Sequence, residues 1–144
     1  MAIDYVCKTD RRLVVVAWDQ RVTLDQWRAH LERMFADPGY ARADAQLTDM
    51  RFSSLDASIT EMEIHRTVDT YIAERGLMAR KRLAIVAGPD WDKAKLVERL
   101  IEPLNVRPIV FTNLITACTW LSLDVVEIGN ALKEMRLKLR QAEA

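Results

Sequence analysis

Apolar residues in the first part of the chain change from the spacing of a strand to the spacing of a helix. Loose alternation over residues 3–8 predicts a half-exposed strand, and the continuous apolar run over 13–18 predicts a buried central strand. A helical stripe follows, consisting of Leu24, Trp27, Leu31, Met34 and Phe35. Thr23 and Gln26 have the spacing of a capping box at its start, and the Asp-Pro-Gly of 37–39 ends it.

The same two spacings alternate through the rest of the chain. Short apolar runs at 45–50, 83–87 and 109–111 predict three further strands, each followed by a helical stripe. A last stripe lies within residues 124–144, where intervals of three and four describe a narrow seam. Its apolar positions are Val125, Ile128, Leu132, Met135 and Leu139. We expect this helix either to pack on its own domain or to pair with a second copy of the chain.

The predicted order of elements defines a fold class. Two strands are followed by a helix, then by three strand-helix units and a terminal helix. Strands that alternate with helices require right-handed crossovers and a largely parallel sheet. We therefore predict an α/β fold with a mixed, mostly parallel sheet, covering helices, an antiparallel first strand at an edge and an extra C-terminal helix. The 144 residues fit one domain.

Charge and composition restrict the function classes. The 21 Lys and Arg balance the 21 Asp and Glu, so the net charge is zero and no basic surplus is available for nucleic acid or for an anionic membrane surface. The longest apolar run is much shorter than the about 20 residues of a membrane span, and no signal peptide is recognisable. Cys7 and Cys118 form no metal or redox motif. We expect a cytoplasmic protein with reduced thiols, no nucleic-acid partner and no peripheral membrane contact.

Two short motifs resemble a known family. The segment Val110-Phe111-Thr112, then Ala117, then Trp120-Leu121, looks like the strand-to-helix ending of the SpoIIAA-like group of STAS domains, the fold of anti-sigma factor antagonists. Residues 47–51, Leu-Thr-Asp-Met-Arg, look like the central strand of that group, which ends in Asp-x-Arg. The resemblance implies a STAS domain over 1–123, with 124–144 as an added amphipathic helix. The related CRAL-TRIO fold carries lipids, which implies a second use of the same scaffold.

The polar stretch at 51–58 is the first candidate site, and we expect a loop there. Open sheets of this class bind partners at the carboxyl ends of their strands. Ser53 and Ser54 precede a helix whose free N–H groups favour a phosphate, which Arg51 is able to pair with. In the family resembled, phosphorylation of a serine in a similar position breaks the complex with an anti-sigma factor kinase. The family's motif, Asp-Ser followed closely by Gly, is absent here. Ordinary turn and capping chemistry, including Ser58 or Thr60 as a helix cap, is the alternative.

An apolar pocket is the second candidate site. Large aromatic or flexible side chains lie on or near the first two helices, where a cleft would suit an acyl chain or another small apolar molecule. The candidate lining residues are Trp27, Met34, Phe35, Met62, Tyr71 and Met78. A stripe of this kind also describes an ordinary core, because residue types alone do not reveal a void.

Enzymatic and metal-dependent functions find little support. His30 and His65 are the only imidazoles, and neither has metal-ligand spacing, so we expect both to be structural. No nucleophile elbow, phosphate-binding loop or dinucleotide fingerprint occurs. Asp49 and Arg51 at a strand end suit an acid and an anion binder, although a salt bridge or a solvated pair explains them more simply. We expect no catalytic residues, no metal and no cofactor.

The sequence thus favours a non-enzymatic regulatory module with a serine switch, which contacts an anti-sigma factor or a kinase-like protein. The alternative is a binding or carrier domain for an apolar small molecule or lipid. The terminal seam also suggests a homodimer.

Overall fold

The computed structural model describes residues 2–142 as a five-stranded sheet with helices on both faces. The strands are β1 (Ile3–Lys8), β2 (Leu13–Val22), β3 (Ala45–Leu55), β4 (Arg82–Val86) and β5 (Arg107–Phe111). The α-helices are α1 (Leu24–Ala36), α2 (Pro38–Arg42), α3 (Glu61–Thr67), α4 (Trp91–Ile101), α5 (Leu114–Trp120) and α6 (Val125–Ala142). A π-helical segment, Val68–Ala73, continues α3, and 3-10 turns occupy Thr9–Arg11 and Glu102–Leu104.

The strands lie in the sheet in chain order, from β1 to β5. β1 is antiparallel to β2, and every later pair of neighbours is parallel. The predicted α/β fold, antiparallel edge strand and C-terminal helix are therefore confirmed. Right-handed crossovers between strands in sequential order place their helices on one face. Accordingly α1, α3 and α4 contribute to one apolar core, whereas α5 and α6 contribute to the core on the opposite face.

β2 is apolar at consecutive positions because both of its faces are covered. Val14 and Val16 face the core under α1, α3 and α4, whereas Leu13 and Val15 face the core under α5 and α6. A strand buried on both sides carries a continuous apolar run instead of an alternating one. This explains the run that predicted a central strand.

The chain between β2 and β3 contains one predicted helix and one that the pattern did not predict. Thr23 accepts a hydrogen bond from the backbone N–H of Gln26, whose side chain accepts one from the backbone of Thr23, so the capping box at the start of α1 is confirmed. Asp37 ends α1 and also caps the short α2 by accepting a hydrogen bond from the N–H of Gly39. Pro38 occupies the first turn of α2, a position where proline needs no N–H partner.

The seam of α6 packs on the protein's own sheet. Ile128, Leu132, Met135 and Leu139 are all buried. The first three join side chains of β2, β3 and β4 in one core. Of the two predicted arrangements, docking within the chain is therefore the one observed. The last two positions of the predicted segment, 143 and 144, lie outside the described residues. A homodimer stays a prediction, and it would need a surface other than this seam.

Candidate functional site

A cavity lies between the sheet and helices α1, α3 and α4. Its volume is about 70 Å³, and most of its wall is aliphatic, formed by side chains such as Leu83 and Ile85 from β4 and Ile101 from α4. Leu55 at the end of β3 and Lys93 in the first turn of α4 also line it and are only half-buried. The opening therefore faces the carboxyl end of the sheet, where open α/β sheets bind their ligands.

Two residues that line the cavity each have a buried ring nitrogen with no hydrogen-bond partner within the described part of the chain. The two nitrogens are Nε1 of Trp18, from β2, and Nδ1 of His30, from α1. Both residues are only 6% exposed. An unpaired buried polar group costs about 1–3 kcal/mol, and such groups are rare in native proteins. Both groups are therefore candidates to pair with a molecule held in the cavity.

His30 is neutral in this environment. Desolvation by burial, with a smaller contribution from the charge of Arg33, lowers the pKa of its imidazole to about 3. A neutral imidazole has one N–H donor and one bare nitrogen acceptor. At physiological pH, His30 therefore adds hydrogen-bonding capacity to the cavity wall without adding charge.

A chain of buried hydrogen bonds reaches the cavity from the other end of the sheet. The hydroxyl of Tyr40 donates to Oε1 of Gln46 at 2.8 Å, and Nε2 of Gln46 donates to Oγ1 of Thr48 at 2.9 Å. Gln46 and Thr48 both line the cavity. Thr48 uses its oxygen as an acceptor here.

The wall also contains adaptable elements. Met50 and Met78 line the cavity, and the unbranched thioether side chain of methionine changes rotamer readily. Ile72 belongs to the π-helical segment that continues α3, and its side chain also reaches the cavity. π-helical turns are rare and are often found at functional sites.

The predicted pocket residues are divided by the structure. Trp27 and Met78 line the cavity, but Met34 and Phe35 are buried in the core beside it. Tyr71 is partly buried and its ring lies under the guanidinium of Arg28, 5.3 Å from the ring centroid. Met62 is 62% exposed, so its assignment to a pocket was wrong. Its position in the first turn of α3 falls on the outer face, because the inward stripe of that helix begins two residues later.

The predicted loop at 51–58 was also wrong in its first half. β3 continues to Leu55, because it pairs with β2 as far as Val22 after a bulge between Ala17 and Asp19. Asp90, in the turn before α4, holds this extension by accepting a hydrogen bond from the N–H of Leu55 at 2.9 Å. The polar composition of the segment reflects a strand extension with one exposed side.

The three candidate serines have different environments. Ser53 is 4% exposed and its hydroxyl donates to the carbonyl of Met50 at 3.1 Å. Ser54 is exposed on the strand. Ser58 accepts a hydrogen bond from the N–H of Leu24, the first residue of α1, at 3.1 Å. None of the three caps α3, because Thr60 does so by accepting from the N–H of Glu63.

Arg51 belongs to a cluster of ion pairs beneath α6. Both oxygens of Asp49 accept from its guanidinium, at 2.9 and 3.0 Å, and Asp49 also accepts from Arg136 at 2.9 Å. Asp49 is 1% exposed, so the salt bridge expected for it and Arg51 is confirmed. Phe52 is 48% exposed, and its ring lies 4.2 Å from the guanidinium carbon of Arg136.

A second pair continues the cluster along α6. Arg140, one turn beyond Arg136, donates to both oxygens of Asp19 at 2.8 and 3.1 Å. These partners are more than 85 positions apart in the chain. The arginines of α6 are not recognisable as partners from the sequence for that reason, and their i, i+4 spacing is the only local signal.

No group of three or more His, Cys, Asp or Glu within residues 2–142 is arranged to hold a metal ion. No helix in the described part of the chain is long and apolar enough to cross a membrane. No protein-family model, curated protein or solved structure matches the sequence or the fold. The resemblance to SpoIIAA-like STAS domains therefore stays a prediction.

Proposed function

We propose that this protein is a non-enzymatic binding module that holds a small, mostly apolar molecule between its sheet and helices α1, α3 and α4. The observation that supports this proposal is an apolar cavity lined by Trp18 and His30, each of which has a buried ring nitrogen without a hydrogen-bond partner. Of the two functions predicted from the sequence, this one has its candidate site built by residues from several elements.

The volume limits the ligand. The cavity of about 70 Å³ is far smaller than the roughly 300–1,000 Å³ of sites for drug-sized ligands. A long acyl chain therefore does not fit the structure as it stands, and the lipid-carrier form of the proposal is less favoured than binding of a compact molecule.

Thermal denaturation in the presence of small apolar compounds tests the proposal. A ligand that binds only the native state stabilises it by mass action, so Tm should rise with ligand concentration. Ala94 is 2% exposed and lines the cavity, so Ala94→Leu should fill the space and abolish the rise. Ala41→Leu, at an exposed position of α2, is the matched control and should leave the rise intact. If no compound in a panel of benzene, short alcohols and ketones raises the Tm of the native protein or of Ala41→Leu, the proposal is refuted.

A regulatory protein-interaction module is the second candidate. The exposed ring of Phe52 lies between Arg51 and Arg136, and the exposed Ser54 is two residues further along β3. Aromatic and arginine side chains are common hot spots of protein interfaces. An anti-sigma factor or kinase-like protein would be the partner, as the resemblance implies.

Incubation with a cognate anti-sigma kinase and ATP tests the switch. Phosphate should be found on Ser54 and not on Ser53, because the hydroxyl of Ser53 is buried and already donates to Met50. The Ser54→Ala variant should stay unmodified, whereas Ser53→Ala should be modified like the native chain. Absence of phosphate from both serines in the native chain would remove the switch from this proposal.

A further inference from the structure

Two features of the cavity wall indicate which chemistry its occupant carries. Nε1 of Trp18 is always a donor, because an indole has no acceptor nitrogen. Nδ1 of His30 is a donor or an acceptor, depending on which nitrogen of the neutral ring holds the proton. Both atoms are buried without a partner among residues 2–142, and both residues line the cavity.

We infer that the cavity selects a small neutral molecule bearing a hydroxyl group, whose oxygen accepts a hydrogen bond from Trp18 and which also pairs with His30. This inference rests on the proposed binding function and adds the class of ligand to it. A hydroxyl is both a donor and an acceptor, so it suits His30 in either tautomer, whereas a carbonyl or an ether suits only one.

A charged ligand does not fit this wall. Burying an ion in an apolar site is unfavourable unless an opposite charge pairs with it. Lys93 is the one charged side chain that lines the cavity among the described residues, and it lies at the opening. The carboxylate of a fatty acid would therefore remain outside, away from Trp18 and His30, and would leave their nitrogens unpaired.

The size of the occupant follows from the volume and from the adaptable side chains. About 70 Å³ corresponds to roughly two water molecules, whereas a cavity of roughly 150 Å³ is known to hold benzene. A short alcohol thus fits directly. A phenol fits if Met50 and Met78 change rotamer and move away from the centre of the cavity.

Comparison of phenol with benzene tests this inference on the native protein. The two molecules differ by one hydroxyl, so their affinities, measured by titration calorimetry, isolate its effect. A hydroxyl that finds partners should make phenol bind about fivefold to tenfold tighter than benzene, whereas a hydroxyl without partners should make it bind more weakly. In ¹H–¹⁵N spectra, phenol should shift the indole N–H resonance of Trp18 downfield, and benzene should not.

Matched variants separate the hydrogen bond from the shape of the cavity. Trp18→Phe removes the donor, and Trp27→Phe removes an indole of the same size from another part of the same wall. The preference for phenol should disappear in Trp18→Phe and persist in Trp27→Phe. If either variant fails to fold, the native titrations and the resonance of Trp18 still decide the question.

The possible results are distinguishable. Equal or tighter binding of benzene by the native protein would overturn the hydroxyl class but leave the proposed binding function in place. Failure of both compounds and of short alcohols to bind would overturn the inference together with that function. A preference for phenol that Trp18→Phe retains would also overturn the inference, because it would assign recognition to another group.

Discussion

Replacement of Leu132 by alanine should reveal how much stability the docking of α6 provides. Leu132 is 0% exposed and lies in the core between α6 and the sheet. Truncation of a fully buried leucine removes the burial of its methyl groups and leaves a cavity, which together cost about 2–5 kcal/mol. For a chain of this size each kcal/mol lowers Tm by about 2–4 °C, so a decrease on the order of 10 °C is expected.

Leu137→Ala on the same helix is the matched control. Leu137 is 51% exposed, and both substitutions change the helix propensity of α6 equally. The control should therefore alter the free energy of unfolding by no more than about 0.5 kcal/mol. The difference between the two variants measures packing alone.

Urea denaturation monitored by circular dichroism, repeated over a wide range of protein concentrations, is the appropriate assay. If the seam packs on its own sheet, the midpoint of Leu132→Ala falls and is independent of protein concentration. Equal effects at Leu132 and Leu137 would refute the packing argument. A midpoint that rises with protein concentration in the native chain but not in Leu132→Ala would show that the seam mediates association.

Three further predictions concern the backbone, the buried ion pairs and pH. Gly88→Ala should destabilise the protein by about 1–3 kcal/mol, because its Cβ would lie 2.8 Å from a backbone oxygen of β3. Gly129→Ala, in α6, would place its Cβ 3.7 Å from a side-chain carbon of Leu114, an ordinary van der Waals distance, so it should be neutral or stabilising by up to about 1 kcal/mol in the same urea titration. Asp49→Asn should lower the free energy of unfolding by about 3–5 kcal/mol, because Arg51 and Arg136 lose the buried carboxylate that they share. Asp44→Asn should lower it by less than about 1 kcal/mol, because the side chains of Asp44 and its partner Arg12 are both 63% exposed. The pKa of His30 is lowered to about 3, so below about pH 6.5 the unfolded chain binds a proton that the native protein does not bind. The free energy of unfolding should therefore fall by up to about 1.4 kcal/mol for each pH unit, and His30→Leu should remove that component. An identical pH dependence in the native protein and in His30→Leu would contradict a buried neutral histidine.

The fold could be predicted from local pattern, and the errors arose where tertiary pairing decided the structure. Helix α1 and its cap depend on residues three and four positions apart, so Thr23 and Gln26 were sufficient to predict them. The extension of β3 depends on β2 and on Asp90, 35 positions away, so the polar residues 51–55 resembled a loop. Sequence patterns contain the first kind of information and not the second.

The candidate site was harder to predict for a related reason. Trp27 was identified because large aromatic residues on a helix are pocket candidates, but Trp18 looked like part of a buried strand and His30 like a structural residue. Their residue types are unremarkable in a core. What distinguishes them is the absence of a partner, and that property depends on every element that surrounds the cavity.

The unpaired nitrogens of Trp18 and His30 differ from other buried polar side-chain groups in the described part of the chain, which have hydrogen-bond partners. Beneath α6, the buried carboxylates of Asp19 and Asp49 each receive at least two hydrogen bonds from arginines. Elsewhere, the buried ammonium group of Lys81 donates to the carbonyl of Ala43. Burial of a charged group is less favourable than burial of a neutral nitrogen, and yet these charged groups all have hydrogen-bond partners within the protein. The lack of partners for the two neutral nitrogens, in two residues that line one cavity, therefore supports the proposal that a ligand pairs with them.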